Sequence, residues 1–210
     1  MNQSSNSQKN IGRIGVLISG RGSNLKSIMD ACEKGEIRAR VAIVLSNKED
    51  AGGLEYARKA GIETVVLPNR QYQNREEYDG KVVEILQKHQ VDLVCLAGFM
   101  RLLSGVMIKA FPLRIMNIHP AILPAFPGLH AQRQAVEYGA KITGCTVHFV
   151  DEGLDSGPVI LQKTMEVRSD DNEETLSARM LPVEHKTYVE AVRLFFEERL
   201  KVNGRKVIIL

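Results

Sequence analysis

The sequence predicts an α/β fold: a Rossmann-like, mostly parallel sheet with helices on both faces and an antiparallel strand pair toward the C-terminal part. Three observations lead there. Short apolar runs alternate with stretches of helical periodicity as far as Ile118, and that alternation requires parallel strands joined by crossover helices. The runs are rich in Val, Ile and Leu and almost continuously apolar, the pattern of strands buried on both faces. After Gly144 two strand-like runs follow with no helix between them, so a turn joins them as antiparallel neighbours.

Residues 13–19 form the first expected strand. Leu25, Ile28, Met29 and Cys32 then recur at helical spacing, and Gly35 ends that helix. Residues 41–45 make a second buried strand. Residues 54–60 make a short helix closed by Gly61, and residues 63–67 a third strand. Asn74 can cap a helix whose buried stripe is Tyr78, Val82, Ile85 and Leu86. Residues 92–97 and 114–118 are the fourth and fifth strands. Residues 145–150 and 159–167 are the antiparallel pair. A helix is expected from about Glu173 to Leu200, kinked or broken at Pro182 because proline removes a backbone donor. Residues 206–210 read as a small terminal strand. No repeat or linker interrupts the pattern, so one domain over residues 1–210 is expected, with a disordered polar tail at residues 1–10.

Composition narrows the function. A hydrophobic content of 44% suffices for a sizeable core in 210 residues. The formal charge of +3 is small and its Lys and Arg are scattered, which disfavours a nucleic-acid groove. No apolar run approaches the roughly 18 residues that span a membrane, and the N-terminus lacks the apolar core of a signal peptide. Cys32, Cys95 and Cys145 form no CxxC pair and sit in apolar contexts, as reduced thiols of a cytoplasmic protein would.

Asn117-Ile118-His119-Pro120 is the most informative stretch. Strand alternation puts Asn117 and His119 on one face, where proline closes the strand. Open α/β sheets bind ligands at such carboxyl strand ends. Asp155 lies in a glycine-rich turn between the two antiparallel strands; alone it reads as a solvated turn residue. An imidazole, an amide donor and a carboxylate together suit a reaction through a tetrahedral oxyanion.

The first strand runs into Ser19-Gly20-Arg21-Gly22-Ser23-Asn24 and then a helix. Glycines allow a tight turn and the helix N-terminus offers free amides, which suits one phosphate. A plain turn capped by Asn24 is the other reading. The dinucleotide fingerprint is broken at Leu25, and Walker A is absent, so an NAD-binding reductase is disfavoured. Phe99-Met100-Arg101-Leu102-Leu103 after the fourth strand can line a pocket for a flat ligand or fill core. His89, His130, His148 and His185 show no metal-ligand spacing, so no metal is expected.

Five stretches in order carry a family resemblance: LISGRGSNL (17–25), SNKEDAGGLEYA (46–57), LAGFMRLLS (96–104), MNIHPAILPAFPGLH (116–130) and GCTVHFVDEGLDSGPVILQ (144–162). Together they resemble the phosphoribosylglycinamide formyltransferases, folate-dependent enzymes of purine synthesis. The resemblance implies the formyltransferase fold and, as substrates, glycinamide ribonucleotide and 10-formyltetrahydrofolate. It implies that Asn117, His119 and Asp155 are catalytic. Gly22, Ser23 and Asn24 would hold the substrate phosphate and Glu184 the ribonucleotide. Arg75, Met100, Arg101, Leu102 and Leu103, with Asn117, would contact folate. Asp155 would favour the charged form of His119. The assembly expected is a monomer or homodimer.

Two positions depart from the family pattern. Ala121 stands where serine is usual, which implies a lost turn hydrogen bond, and Pro182 stands where the helix usually continues. Two other folate enzymes share the fold. Formyltetrahydrofolate deformylases normally add an N-terminal regulatory domain, and methionyl-tRNA formyltransferases a C-terminal tRNA-binding domain; neither extension is expected here. A deformylase-like hydrolase remains the nearest chemical alternative, and a non-catalytic phosphate-ligand binding protein the alternative of another class.

Overall fold

The computed structural model describes residues 11–210; the expected tail at residues 1–10 lies outside them. A single nine-stranded sheet organises the described residues. In order the elements are β1 (Gly12–Ile18), α1 (Ser23–Glu33), β2 (Ala39–Ser46), α2 (Gly53–Lys59), β3 (Thr64–Val66), α3 (Arg75–Lys88), β4 (Leu93–Leu96) and α4 (Gly105–Ala110). Then come β5 (Ile115–His119), α5 (Ala131–Tyr138), β6 (Ile142–Phe149), β7 (Val159–Glu166), α6 (Glu173–Phe196), β8 (Leu200–Asn203) and β9 (Lys206–Ile209).

The strand order is β3-β2-β1-β4-β5-β6-β7-β9-β8. β1 to β5 are mutually parallel, as the alternating pattern requires. β6 runs antiparallel to both β5 and β7, and β8 and β9 form an antiparallel hairpin at the edge.

Strand alternation sorts side chains onto two apolar faces. Ile14, Val16 and Ile18 of β1 join Met116 and Ile118 of β5 in one core, with Leu25 and Ile28 of α1 and Tyr188 and Val192 of α6. Leu17 of β1 and Ile115 of β5 join the other, with Tyr78, Val82 and Leu86 of α3 and Met107 of α4. Leu25 and Ile28 are completely buried, and each contributes about 1.5–3 kcal/mol on that count. Because Ile115 faces α3 and α4, so do Asn117 and His119, its neighbours two and four residues on.

Three elements exceed what periodicity shows. α4 has 6 residues and α5 has 8, too short for a helical stripe to stand out. β8 begins at Leu200, where the last helix was expected to end; the chain leaves that helix already after Phe196, through Glu198, whose φ is 59°. Pro182 corrects the expectation in the other sense. α6 passes through it as one helix of 24 residues. Pro182 and Ala178, whose carbonyl it leaves without an amide, both lie on the exposed side, where water can serve that oxygen. Leu176, Met180, Glu184, Tyr188 and Val192 hold the opposite side against the protein.

The Tyr188 hydroxyl sits at the seam of two strands, 3.1 Å from the Leu96 carbonyl of β4 and 2.8 Å from the Met116 carbonyl of β5. At the head of α1, Gly22 has φ 75° and packs on Gly53 so closely that a Cβ there would lie 2.5 Å from the Gly53 Cα. Gly22→Val is therefore expected to destabilise the fold by about 2–4 kcal/mol, from the positive φ and the backbone overlap together. A denaturant midpoint close to the parent's would contradict this.

Among the described residues no helix is long and apolar enough to cross a membrane.

Candidate active site

Chain order reverses between β1 and β4, so the crevice outside their carboxyl ends is the place where this class of sheet takes ligands. The loops after β1, β2 and β4 meet there. The Ser19 hydroxyl donates to Asn47 Oδ1 at 2.6 Å and accepts from the Met100 amide at 2.9 Å. The Ser19 amide donates to the Gly98 carbonyl.

Asn117 and His119 project from the end of β5. β6 pairs antiparallel beside them, with His148 opposite Asn117 and Thr146 opposite His119, so all four side chains share a face. The His148 Nδ1 donates to the Phe149 carbonyl at 2.8 Å, which leaves Nε2 as an acceptor in the neutral ring. Asn117 Nδ2 donates to that Nε2 at 3.3 Å. His148 thus sets the Asn117 amide with its NH2 inward and one N–H still available. Burial lowers the His148 pKa below its ordinary 6.5, although the Phe149 carbonyl and Asp155 oppose the shift.

His119 is buried between two acceptors. Its Nε2 donates to the Phe126 carbonyl at 2.8 Å, and its Nδ1 lies 3.4 Å from Asp155 Oδ2. A carbonyl on one side and a carboxylate on the other are both satisfied by the doubly protonated ring. Asp155 comes from the β6–β7 turn, where its own φ is 47°. Oδ2 also accepts from the Gly128 amide at 2.8 Å, and Oδ1 lies 3.8 Å from His148 Nε2. Asn117, His119 and Asp155, dispersed in sequence, therefore meet.

Thr146 steadies the chain just beyond His119. Its hydroxyl donates to the Ala121 carbonyl and accepts from the Leu123 amide. The Gln162 amide donates to both the Thr146 hydroxyl and the Leu123 carbonyl. This turn is held through the backbone of Ala121, without a side-chain hydroxyl there.

The phosphate-loop candidates sit at the head of α1. The amides of Ser23, Asn24 and Leu25 precede the first intrahelical bond, made by Lys26 to the Gly22 carbonyl, and Gly22 has no side chain to cap them. Asn24 Nδ2 donates to Glu184 Oε2 at 2.9 Å, while its Oδ1 is buried with no partner. Burial pushes the Glu184 carboxyl above its usual range, against the pull of Asn24 and Arg21. This pair lies on the α1/α6 side of the sheet. A ligand touching both it and His119 would cross the carboxyl edge of the strands.

The remaining candidates divide. Met100 and Leu102 are exposed, whereas Leu103 is packed in the core with Tyr78 and Phe99. The Arg101 guanidinium stacks 4.5 Å above the Tyr78 ring centroid, leaving Nε without a partner. Asp79 anchors the segment by accepting from the Ser104 amide. Arg75 is exposed at the first position of α3, which Asn74 caps. Among the described residues no group of three or more His, Cys, Asp or Glu is arranged to hold a metal ion.

Residues 12–192 match the family model described as formyl transferase. The chain belongs to the formyl transferase family. It is 46% identical to the phosphoribosylglycinamide formyltransferase of Escherichia coli (strain K12), over 90% of this chain and 89% of that one. Its fold superposes with a TM-score of 0.95 on glycinamide ribonucleotide transformylase 1 from Symbiobacterium toebii, 54% identical, covering 97% of this chain and 96% of that. A formyltetrahydrofolate deformylase from Pseudomonas syringae pv. tomato shares the fold at a TM-score of 0.89 with 26% identity, over 96% of this chain and 67% of that one. The chain spans about a fifth of the length of the mammalian trifunctional purine biosynthetic proteins that it also matches.

Sequence reasoning did not single out His148 and Thr146 as parts of this candidate site, and it placed Ser19 in the glycine loop without its bonds to Asn47 and Met100. His148 was legible only through the β5–β6 register, which aligns it with Asn117. Its depressed pKa has a consequence for stability. The unfolded chain binds a proton at His148 below about pH 6.5, while the native ring resists it, so this contribution is full above that pH and declines on acidification. His148→Gln is expected to flatten the fall in thermal stability between about pH 6.5 and pH 5. An identical pH dependence of Tm in parent and variant would contradict it.

Proposed function

We propose that the chain transfers the formyl group of 10-formyltetrahydrofolate to the amine of glycinamide ribonucleotide, a step of purine biosynthesis. The observation that carries this reading is the convergence of Asn117, His119 and Asp155 at the end of β5, in a member of the formyl transferase family. In this reading the substrate amine attacks the formyl carbon. The free N–H of Asn117 and the imidazolium of His119 stabilise the resulting oxyanion. Asp155 balances the histidine's charge. The new C–N bond remains, the bond to the folate nitrogen breaks, and the amine proton passes to that nitrogen.

The head of α1 and the Asn24–Glu184 pair support a site for the ribonucleotide: amides toward its phosphate, and a buried carboxylate with an unpartnered amide oxygen toward its polar groups. Met100, Arg101, Leu102 and Arg75 are read as the folate side. Holding two substrates in contact across the sheet edge accounts for much of the rate without a covalent intermediate. A single sheet through residues 11–210 supports reading the chain as one formyltransferase unit.

A deformylase would use the same three residues with water as acceptor. The acceptor side at α1 and α6 favours the transferase. Turnover of the formyl folate, followed by its absorbance, is expected to require glycinamide ribonucleotide and to place the formyl group on its amine. Formate release without acceptor, unaffected by adding it, would overturn the reading.

A further inference from the structure

We propose that Gln134 is a positioning residue that sets the geometry of the His119–Asp155 pair. The proposal rests on the formyl-transfer reading of those two residues. Gln134 lies on α5 and touches neither of them. Its side-chain Nε2 donates to the Pro127 carbonyl at 3.2 Å and to the Leu129 carbonyl at 2.9 Å. The groups of the same arc that point the other way serve the site: the Phe126 carbonyl accepts from His119 Nε2, and the Gly128 amide donates to Asp155 Oδ2. One amide thus fixes the strip of backbone that both side chains use.

Burial holds the arc at Phe126, whose ring packs against the cluster of Ala135 and Met180 and meets Tyr138 edge-on, and holds little of it beyond. Pro127, Leu129 and His130 are exposed, Leu129 by 65%. Phe126, Gly128 and His130 have φ of 54°, 82° and 57°. Two of these are not glycine, and such conformations persist only where the surroundings hold them. Gln134 supplies that hold through two carbonyls of the arc, and the bridge from His130 Nδ1 to Glu173 supplies it at the arc's end. Without the Gln134 amide, the Phe126 carbonyl can turn away from His119 and the Gly128 amide from Asp155. The imidazole and the carboxylate then lose their common reference.

The test uses Gln134→Leu, similar in size without donors, and Gln134→Lys, whose ammonium can donate to both carbonyls. In Gln134→Leu, kcat is expected to fall by on the order of 10–10²-fold with KM for both substrates little changed, the signature of misplaced catalytic groups. Gln134→Lys should recover most of that loss. Independently of turnover, 15N NMR of the His119 ring should show its Nε2 proton exchanging faster in Gln134→Leu than in the parent. A parent-like ring spectrum and parent-like kcat in a folded Gln134→Leu protein would overturn the proposal. So would a loss that Gln134→Lys shares equally. Should the parent itself fail to transfer formyl groups, the reaction assigned above falls, while the ring spectra still decide whether Gln134 governs His119.

Discussion

His119→Ala is expected to leave the protein folded and to lower kcat by on the order of 10²–10⁴-fold, the range for loss of a general acid or base. The imidazole is the group between the loop carbonyl of Phe126 and the carboxylate of Asp155, so no neighbour can take its place. Folding should survive because both partners keep other options. Asp155 retains the Gly128 amide, and the Phe126 carbonyl belongs to a half-buried residue that water can approach. Steady-state kinetics with circular dichroism on the same preparation checks both halves. A variant with near-parent kcat would remove His119 from the chemistry.

Asn117→Ala should cost about 3 kcal/mol of transition-state stabilisation, on the order of 10² in kcat, as for other donors aimed at an oxyanion. The expected loss is in kcat, with KM nearly constant, because the donor acts on charge that develops only during reaction. Asn117→Asp is the sharper control. It preserves shape, yet sets a carboxylate against the acceptor nitrogen of His148, where the parent has a donor. It should be no more active than the alanine variant. Activity near the parent's in Asn117→Asp would mean that the amide donates nothing to the reaction.

Much of this arrangement could be read from residues alone. The parallel sheet followed from strand and helix periodicity, because doubly buried strands are nearly all apolar. Asn117 and His119 were legible because strand alternation is local: two positions apart means the same face. Asp155 was visible as a turn residue, but its meeting with His119 depends on how β6 and β7 return the chain to β5, which no local pattern states. His148 looked like one more strand residue until its cross-strand partner was known. Leu103 shared a run with Met100 and Leu102, and only packing separates the buried member from the exposed ones. The unbroken helix at Pro182 was hidden for a similar reason. Propensity gives the cost of proline, while the exposed position of Ala178 and the buried stripe opposite decide whether that cost is tolerated.

The hydroxyl of Tyr188 at the β4–β5 seam makes α6 a gauge. Glu184 lies one turn before Tyr188 on the same buried stripe, and Asn117 directly follows Met116, whose carbonyl Tyr188 grips. The spacing between the two ends of the site is thus set by one helical turn and one hydrogen bond, with no flexible loop in the path. In the proposed reaction, such a rigid span measures its acceptor. A substrate with the same phosphate and the same amine but one more methylene between them would seat either end correctly and miss with the other.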